Sequence, residues 1–417
     1  MQKMLCSLVG AALALVTTSA NAKTTFEVRR LADKLYELTT DGGGYTVKVI
    51  ASVGQDGLLL VDAGPASMGP DLLEALQRLG AGDPRIVINT HSHAEHTTGN
   101  LVVGRRALII GHPNVRERLR SGLFLFDEFD ERSLPRLTVA DSLTLHFNGD
   151  EIRVRAFPGA HDNSEIMVWF TKARVVCVGP LSNGLHFPSV DSQTGDVRRY
   201  AEVVRQVIKQ LPDDVKIVPG HGADGTMADY RRFHRMLEET TALVRRELQR
   251  GKDLDTLRRD DVLKPWQSFD GGYVDRRAWL KYLVEGIKRD RQAGPRKERP
   301  FASIYHALKA GGIEAGVKVW NEMRARQANA FLLDEMVLAA VADKLYDHGR
   351  YTEAVRFGEL CVSQFPRADK TWICHHLVGF SHEKLGHREA ARQSLRRSLE
   401  LNPQNQEAAD KLRQLGK

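Results

Sequence analysis

The chain is poor in cysteine, in aromatic residues and in long apolar runs. Of its 417 residues four are cysteines, and aromatic residues make up 7%. Four cysteines are too few for the disulfide framework of a small secreted domain. The net charge of +7 comes from 60 basic and 53 acidic residues, and no dense basic run is interleaved with aromatic residues. These features predict neither nucleic-acid binding nor, beyond the N-terminal segment, a membrane span.

The first 22 residues have the pattern of a secretory signal peptide. Lys3 supplies the positive charge, Leu8 to Val16 forms a short apolar stretch, and Ala20-Asn21-Ala22 has the form of a cleavage site. The apolar stretch is too short for a spanning helix. The sequence therefore predicts a mature chain that begins near Lys23, in a bacterial periplasm or outside the cell.

Three cysteines remain after removal of the signal segment, which contains Cys6. Among Cys177, Cys361 and Cys374, only the last two are close in sequence. One disulfide bridge is an option in an oxidising compartment. We favour buried small apolar positions for both members of the pair.

A cluster of potential metal ligands follows the apolar run Ile86-Val87-Ile88. Within six residues it contains three histidines and one carboxylate: His91, His93, Glu95 and His96. Two of the histidines are two residues apart and lie on one side of an extended segment, whereas the other two ligands come where the chain turns. Imidazole and carboxylate groups suit zinc and related divalent ions, so the cluster predicts a metal site.

Two further histidines follow predicted strands elsewhere in the chain. His161 lies in Pro158-Gly159-Ala160-His161, and His221 lies in Pro219-Gly220-His221-Gly222. Both positions place a histidine at the edge of a sheet, and we expect the two to join the cluster. Asp62, at the end of the strand Leu58 to Val61, is either a hydrogen-bond partner of a histidine ligand or a turn-capping residue. His186 and Asp191, in the loop after Gly179-Pro180, are candidate extra ligands.

The order of predicted elements indicates a layered domain followed by a helical one. Alternating strands and helices extend to about residue 227, and the chain is helical from there to about 289. The segment 122–134 reads either as a lid or as a loop fixed by its phenylalanines. Residues 291–300 read as a linker. In 301–417, Gly349, Ala354 and Pro366 recur as Gly386, Ala391 and Pro403, an offset of 37 residues, and Gly311 to Met323 is a candidate third unit.

These motifs resemble two known families. Leu60-Val61-Asp62-Ala63-Gly64, the histidine cluster, and the segments around His161, Gly179 and His221 resemble the metallo-β-lactamase superfamily in order and spacing. The 37-residue units resemble tetratricopeptide repeats. The resemblance implies an α/β protein: an αββα sandwich in 23–290, with a helical extension from about 227, followed by an all-α tetratricopeptide-like domain in 301–417.

The family resemblance implies two adjacent zinc sites. By matching position, the first would be held by His91, His93 and His161, and the second by Glu95, His96 and His221. Zinc lowers the pKa of bound water to about 7, and the resulting hydroxide attacks a carbonyl. Glu95 would orient that nucleophile and accept its proton.

Two residues depart from the family pattern. Pro180 stands where many members have an aspartate that bridges both metals, and Glu95 stands for the usual aspartate, which moves the carboxylate by about 1.5 Å. These departures predict a weakened second site, with one or two zinc ions per chain.

The sequence therefore predicts a periplasmic or secreted zinc-dependent hydrolase that acts on a small-molecule lactam, lactone, thioester or ester, with β-lactamase activity as one option. The alternative is a weakly active or silent metal-binding scaffold whose repeat domain docks a protein partner. An oxidising iron enzyme on the same fold is a third and less favoured reading.

Overall fold

The computed structural model describes residues 24–41, 46–120, 131–191, 194–290, 301–326, 333–368, 370–403 and 405–416. The chain divides into two compact units, whose described residues lie within 24–290 and within 301–416. The predicted signal segment and the predicted linker lie outside the described residues, as does most of the loop 122–134. No helix in the described part of the chain combines the length and the apolar character needed to cross a bilayer.

The first sheet of the larger unit has seven strands in chain order. They are β1 (Glu27–Ala32), β2 (Leu35–Asp41), β3 (Thr46–Gly54), β4 (Gly57–Val61), β5 (Pro84–Ile88), β6 (Leu108–Gly111) and β7 (Leu137–Thr138). Neighbouring strands are antiparallel from β1 to β4 and parallel from β4 to β7. Because Val61 of β4 pairs with Ile88 of β5, the residues that follow these two strands leave the sheet side by side.

The second sheet has six strands in the order β13-β12-β11-β10-β9-β8. They are β8 (Ser142–Phe147), β9 (Asp150–Ala156), β10 (Ile166–Phe170), β11 (Val175–Gly179), β12 (Lys216–Pro219) and β13 (Gly225–Thr226). Only β11 and β12 are parallel, and there Gly179 pairs with Pro219. The backbone N–H of Ile166 donates to the Thr90 carbonyl over 2.7 Å, so the two sheets are joined where the histidine cluster begins.

Helices cover the outer face of each sheet. The helices of this unit are α1 (Gly69–Arg78), α2 (Ala94–Thr97), α3 (Pro113–Arg120), α4 (Val197–Ile208), α5 (Met227–Gln249), α6 (Leu254–Arg259) and α7 (Arg276–Asp290). One apolar core contains residues of both sheets, such as Ile88 and Val168, and lies between them. A second packs α1 against the first sheet, and a third packs α4, α5 and α7 against the second. The predicted αββα sandwich is confirmed.

The smaller unit is all-helical, as predicted. Its helices are α8 (Phe301–Arg326), α9 (Glu335–Asp347), α10 (Tyr351–Gln364), α11 (Thr371–Lys384), α12 (Arg388–Leu401) and α13 (Gln406–Leu415). Each helix from α8 to α12 contacts the next one along the chain.

The 37-residue period of the sequence is present in the backbone of this unit. Gly312, Gly349 and Gly386 are spaced by 37 residues and all have φ between 71° and 77°, a region that favours glycine. Gly349 separates α9 from α10, Gly386 separates α11 from α12, and Gly312 breaks α8 in two. The third unit suggested by the sequence is therefore a helix pair as well.

Cys361 of α10 and Cys374 of α11 form a disulfide bond. The sequence reading favoured two unbonded apolar positions. Both cysteines are indeed buried, but neighbouring helices bring their Cα atoms to 6.3 Å, a spacing that suits a bridge. Cys177, in β11, is buried and unbonded.

Candidate metal centre

The segments that follow three strands, β5, β9 and β12, deliver the predicted ligands to one edge of the sandwich. His91 and His93 follow β5, and α2 carries Glu95 and His96 directly afterwards. His161 lies in the loop between β9 and β10, and His221 follows β12. The two sheets therefore contribute to the same place, as the sequence predicted.

The six side chains form two triads. His91, His93 and His161 make up the first triad, and Glu95, His96 and His221 make up the second. Within each triad, one ligand atom per residue lies within 4.8 Å of the others. Five of the six residues are buried, and the His221 side chain is 22% exposed.

In the first triad, one hydrogen bond and one ion-pair contact on the outer side orient the rings of His161 and His93. His161 Nδ1 donates to the Ser189 carbonyl over 2.9 Å, and Asp191 Oδ2 lies 3.5 Å from His93 Nε2. In a neutral ring whose proton is on the outer nitrogen, the inner nitrogen presents a lone pair. His161 Nε2 and His93 Nδ1 face each other at 3.2 Å in this way.

The inner nitrogen of the remaining histidine, His91, forms no hydrogen bond within the described part of the chain. His91 Nδ1 lies 3.1 Å from Thr90 Oγ1, which in turn donates to Asp62 Oδ2. The hydroxyl therefore accepts from Nδ1, and Nε2 is left with a lone pair. Among the described residues, no group forms a hydrogen bond with this buried Nε2 atom.

The second triad is held in the same manner. His96 Nδ1 donates to Asp62 Oδ2 over 2.8 Å, and His221 Nδ1 donates to the Thr46 carbonyl over 2.6 Å. The two Nε2 atoms consequently face each other at 3.1 Å. Asp62 also accepts from the Thr90 backbone N–H, and its φ of 63° lies in a region that aspartate tolerates better than most residues.

Burial and neighbouring charges shift the pKa values of the histidines in opposite directions. Burial, together with the other imidazoles, holds the pKa of His91 well below its usual value and lowers that of His161 to about 4. Burial also disfavours charge on His93, but Asp191 and Glu95 outweigh it and raise the pKa to about 10. A proton and a metal ion therefore compete for the inner nitrogen of His93.

A buried arginine contacts the carboxylate on the outer side of the first triad. Arg118 of α3 contacts Asp191 Oδ2 over 3.2 Å and donates to Thr194 Oγ1 over 2.6 Å. Its guanidinium is also 3.8 Å from Asp162. This cation offsets the charge of two buried carboxylates, one of which contacts His93.

The buried Glu165 organises the loop that carries His161. Glu165 accepts backbone hydrogen bonds from Gly159, Ala160 and Asp162 over 2.8–3.0 Å. Burial and the Asp162 carboxylate raise the pKa of Glu165 to about 8, against these donors, which favour the ionised form. These hydrogen bonds tie the backbone of the loop to the Glu165 carboxyl and so fix the position of His161.

Glu95 directs its carboxylate between the triads. Oε1 is 3.7 Å from His93 Nδ1 and 3.7 Å from His221 Nε2. Burial opposes ionisation of this carboxyl, but contacts with both histidines hold its pKa well below the usual range.

The other candidate residues have different surroundings. Asp62 and Asp191 contact the outer nitrogens of His96 and His93. The structure does not bring His186 to either triad, because its ring packs against Gly272 and its Nδ1 faces the Asp270 carbonyl at 3.3 Å.

Sequence reasoning missed Arg118 and Glu165. Glu165 lies four residues after His161, and an acid this close to a candidate ligand is a local signal for a residue that organises the loop. Arg118 gave no signal, because it is one of many arginines and only the fold buries it.

The donor set fits a pair of divalent metal ions. When their rings are neutral and protonated on the outer nitrogen, two pairs of imidazole nitrogens face each other with their lone pairs, and the buried His91 Nε2 forms no hydrogen bond with the described residues. Buried polar atoms ordinarily have partners, and two facing lone pairs repel unless a cation lies between them. The six residues thus form two histidine-rich candidate metal sites side by side.

Comparison with known proteins agrees with this geometry. Residues 41–221 match the sequence profile of the family described as Metallo-beta-lactamase superfamily. No curated protein matches the chain. Similar solved structures include a metallo-beta-lactamase from Pontibacter korlensis, with 17% identity and a TM-score of 0.44 over 51% of this chain and 99% of that one.

Two further solved structures have similar sequence identities, coverages and TM-scores. The DIM-1 metallo-beta-lactamase has 15% identity and a TM-score of 0.44 over 52% of this chain and 99% of that one. TMB-1 has 17% identity and a TM-score of 0.43 over 52% of this chain and 98% of that one. With the αββα sandwich and the two triads at its edge, the family match over residues 41–221 shows that this chain carries a metallo-beta-lactamase superfamily domain.

Proposed function

We propose that the protein is a zinc-dependent hydrolase that cleaves a carbonyl compound: a lactam, lactone, thioester or ester. The observation that carries the proposal is the inward orientation of five imidazole lone pairs, each fixed by a hydrogen bond or close contact on the opposite side of its ring. Three neutral imidazoles leave a zinc ion its full positive charge. Zinc in such a site acts as a Lewis acid, which lowers the pKa of water to about 7 and polarises a carbonyl.

The protein's own residues hold and orient the reacting groups. The outer contacts of the five histidines keep their rings in place, which limits reorganisation during the reaction. Glu95 places its carboxylate between the triads, where it can orient a water molecule and hold the proton that this water gives up. His221 is the most exposed of the six residues, so we place the substrate entrance on its side of the centre.

The His91→Ala variant tests this proposal. We expect purified wild-type protein to contain one to two equivalents of zinc and to hydrolyse at least one member of a panel containing nitrocefin, a lactone and a thioester. The variant should lose zinc from the first triad and lose turnover. His186→Ala is the matched control and should keep both, because His186 lies outside the triads.

The same experiment distinguishes the alternative function. Stoichiometric zinc without turnover on the whole panel would contradict the hydrolase and favour a metal-binding scaffold. Three helix pairs with a 37-residue period support this alternative, because such repeats resemble tetratricopeptide repeats, which commonly bind protein partners. We propose that the helical unit binds a protein partner. A pull-down with the full-length chain and with a chain ending at Asp290 tests this role. Recovery of the same proteins by both chains would refute it.

We further propose a periplasmic or secreted location. The disulfide between Cys361 and Cys374 supports it, because such bonds persist mainly in oxidising compartments. Determination of the N-terminus of the protein isolated from its native cells tests the location. A chain that begins near Lys23 is expected, and a full-length N-terminus in a cytoplasmic fraction would contradict it.

A further inference from the structure

One carboxylate oxygen of Glu95 is equally far from one histidine of each triad. This oxygen, Oε1, lies 3.7 Å from His93 Nδ1 and 3.7 Å from His221 Nε2. These two nitrogens are the inner atoms of their rings, since they also face His161 Nε2 at 3.2 Å and His96 Nε2 at 3.1 Å. A single oxygen therefore stands between a ligand pair of the first triad and a ligand pair of the second.

The separations agree with shared coordination. Zinc binds nitrogen and oxygen at about 2.0–2.2 Å, so two ligand atoms of one tetrahedral ion are roughly 3.3–3.6 Å apart. The separations of the facing imidazole nitrogens, 3.1 and 3.2 Å, are slightly below this range, and the two distances of 3.7 Å from Oε1 are slightly above it. Oε1 is therefore equally far from one nitrogen of each triad, and a carboxylate oxygen of Glu95 also lies within 4.8 Å of the ligand atoms of His96 and His221.

The other carboxylates at the centre have a different task. Asp62 and Asp191 face the outer nitrogens of His96 and His93, where they orient rings. Pro180, which follows β11, offers no side-chain oxygen, and its carbonyl accepts a hydrogen bond from the Tyr200 hydroxyl. Two divalent ions among neutral imidazoles repel each other, and the negative charge best placed to offset that repulsion is on Glu95.

We propose that Glu95 bridges the two metal ions through Oε1, so that it is a ligand of both triads and not of the second alone. This inference rests on the proposed function, since it requires both triads to bind metal. Glutamate is suited to the role because its side chain is one carbon–carbon bond, about 1.5 Å, longer than that of aspartate. Oε2 then remains for the proton of the reacting water.

Zinc affinity, measured in full-length protein by competition with a chromophoric chelator, tests the bridge. The His221→Ala background retains the first triad, and the His161→Ala background retains the second. In each background, Glu95→Gln keeps the shape of the side chain and removes its charge. It should weaken zinc binding at least 10-fold, which is the smallest loss of affinity expected when a group that only orients a ligand is removed. Glu117→Gln, the same change on the exposed face of α3, should alter neither affinity.

The outcomes separate the bridge from the proposed function. An effect of Glu95→Gln confined to the His161→Ala background would make Glu95 a ligand of the second triad only and overturn the bridge. Glu95→Asp is the second variant; it should weaken binding in at least one background because it is too short to reach both triads, and wild-type affinity in both would also overturn the bridge. Wild-type protein that bound no zinc would instead refute the proposed function.

Discussion

The two triads have the same construction but different surroundings. All three histidines of the first are buried, and an outer cluster of Asp191 and Arg118 lies behind it. The second triad includes a carboxylate and the partly exposed His221, and it is supported by Asp62. From this difference we expect that a metal ion held by the second triad would exchange with solvent more readily than one held by the first.

Removal of one histidine from each triad should have the largest effect. His161→Ala should abolish turnover and weaken zinc binding at the first triad by more than 100-fold. This loss exceeds the 10–100-fold loss expected when only an outer contact of a ligand is removed. His221→Ala should leave one zinc per chain. Zinc analysis after dialysis and assays on the same samples measure both; equal metal loss in the two variants would remove the distinction between the triads.

Changes to the outer carboxylates should have smaller and separable effects. Asp62→Asn should weaken zinc binding at the second triad by about 10–100-fold, because three donors converge on Asp62 and an amide offers only one accepting oxygen. Asp191→Asn should produce the same loss at the first triad. Zinc titration of both variants measures these losses. Equal losses at both triads in each variant would contradict the prediction.

Arg118 should matter for stability more than for metal binding. Arg118→Met removes the cation beside two buried carboxylates, and we expect the free energy of unfolding to fall by about 3–5 kcal/mol. Arg120→Met, on the exposed side of the same helix, is the matched control and should change it by less than about 0.5 kcal/mol. Urea denaturation at saturating zinc measures both. A similar loss in the two variants would show that the buried cluster has no special role.

Loss of the disulfide should leave the difference between the triads unchanged. The bridge closes a loop of 13 residues, so replacing both Cys361 and Cys374 by alanine should destabilise the helical unit by about 3 kcal/mol. Calorimetry of the full chain should show this loss, while zinc affinity at both triads stays at the wild-type value. A shift in zinc affinity would show that the two units are coupled.

Local patterns were sufficient to predict most of the fold and the ligand set. The strands β4 and β5 are short apolar runs followed by turn residues, and such runs are buried in almost any layered domain. The histidine cluster directly follows β5, so its side chains had to leave the sheet together. His161 and His221 could be added because each follows a strand and precedes a loop.

The partners of these residues could not be predicted in the same way. Whether Asp62 orients a histidine or only caps a turn depends on the parallel pairing of β4 with β5, which brings it to His96. The pairing of Arg118 with Asp191 joins a helix to a loop 73 positions away. The bond between Cys361 and Cys374 depends on which faces of α10 and α11 meet.

The amino-acid sequence by itself determined the layered domain, the helical repeat and the identity of the six candidate ligands, because these follow from periodicity and from residues close to strand ends. Only the tertiary structure decided which nitrogen of each histidine faces inward and that Glu95 stands midway between the triads. Those features arise from hydrogen bonds and packing between segments distant in the chain, and no local pattern encodes the distance between such segments.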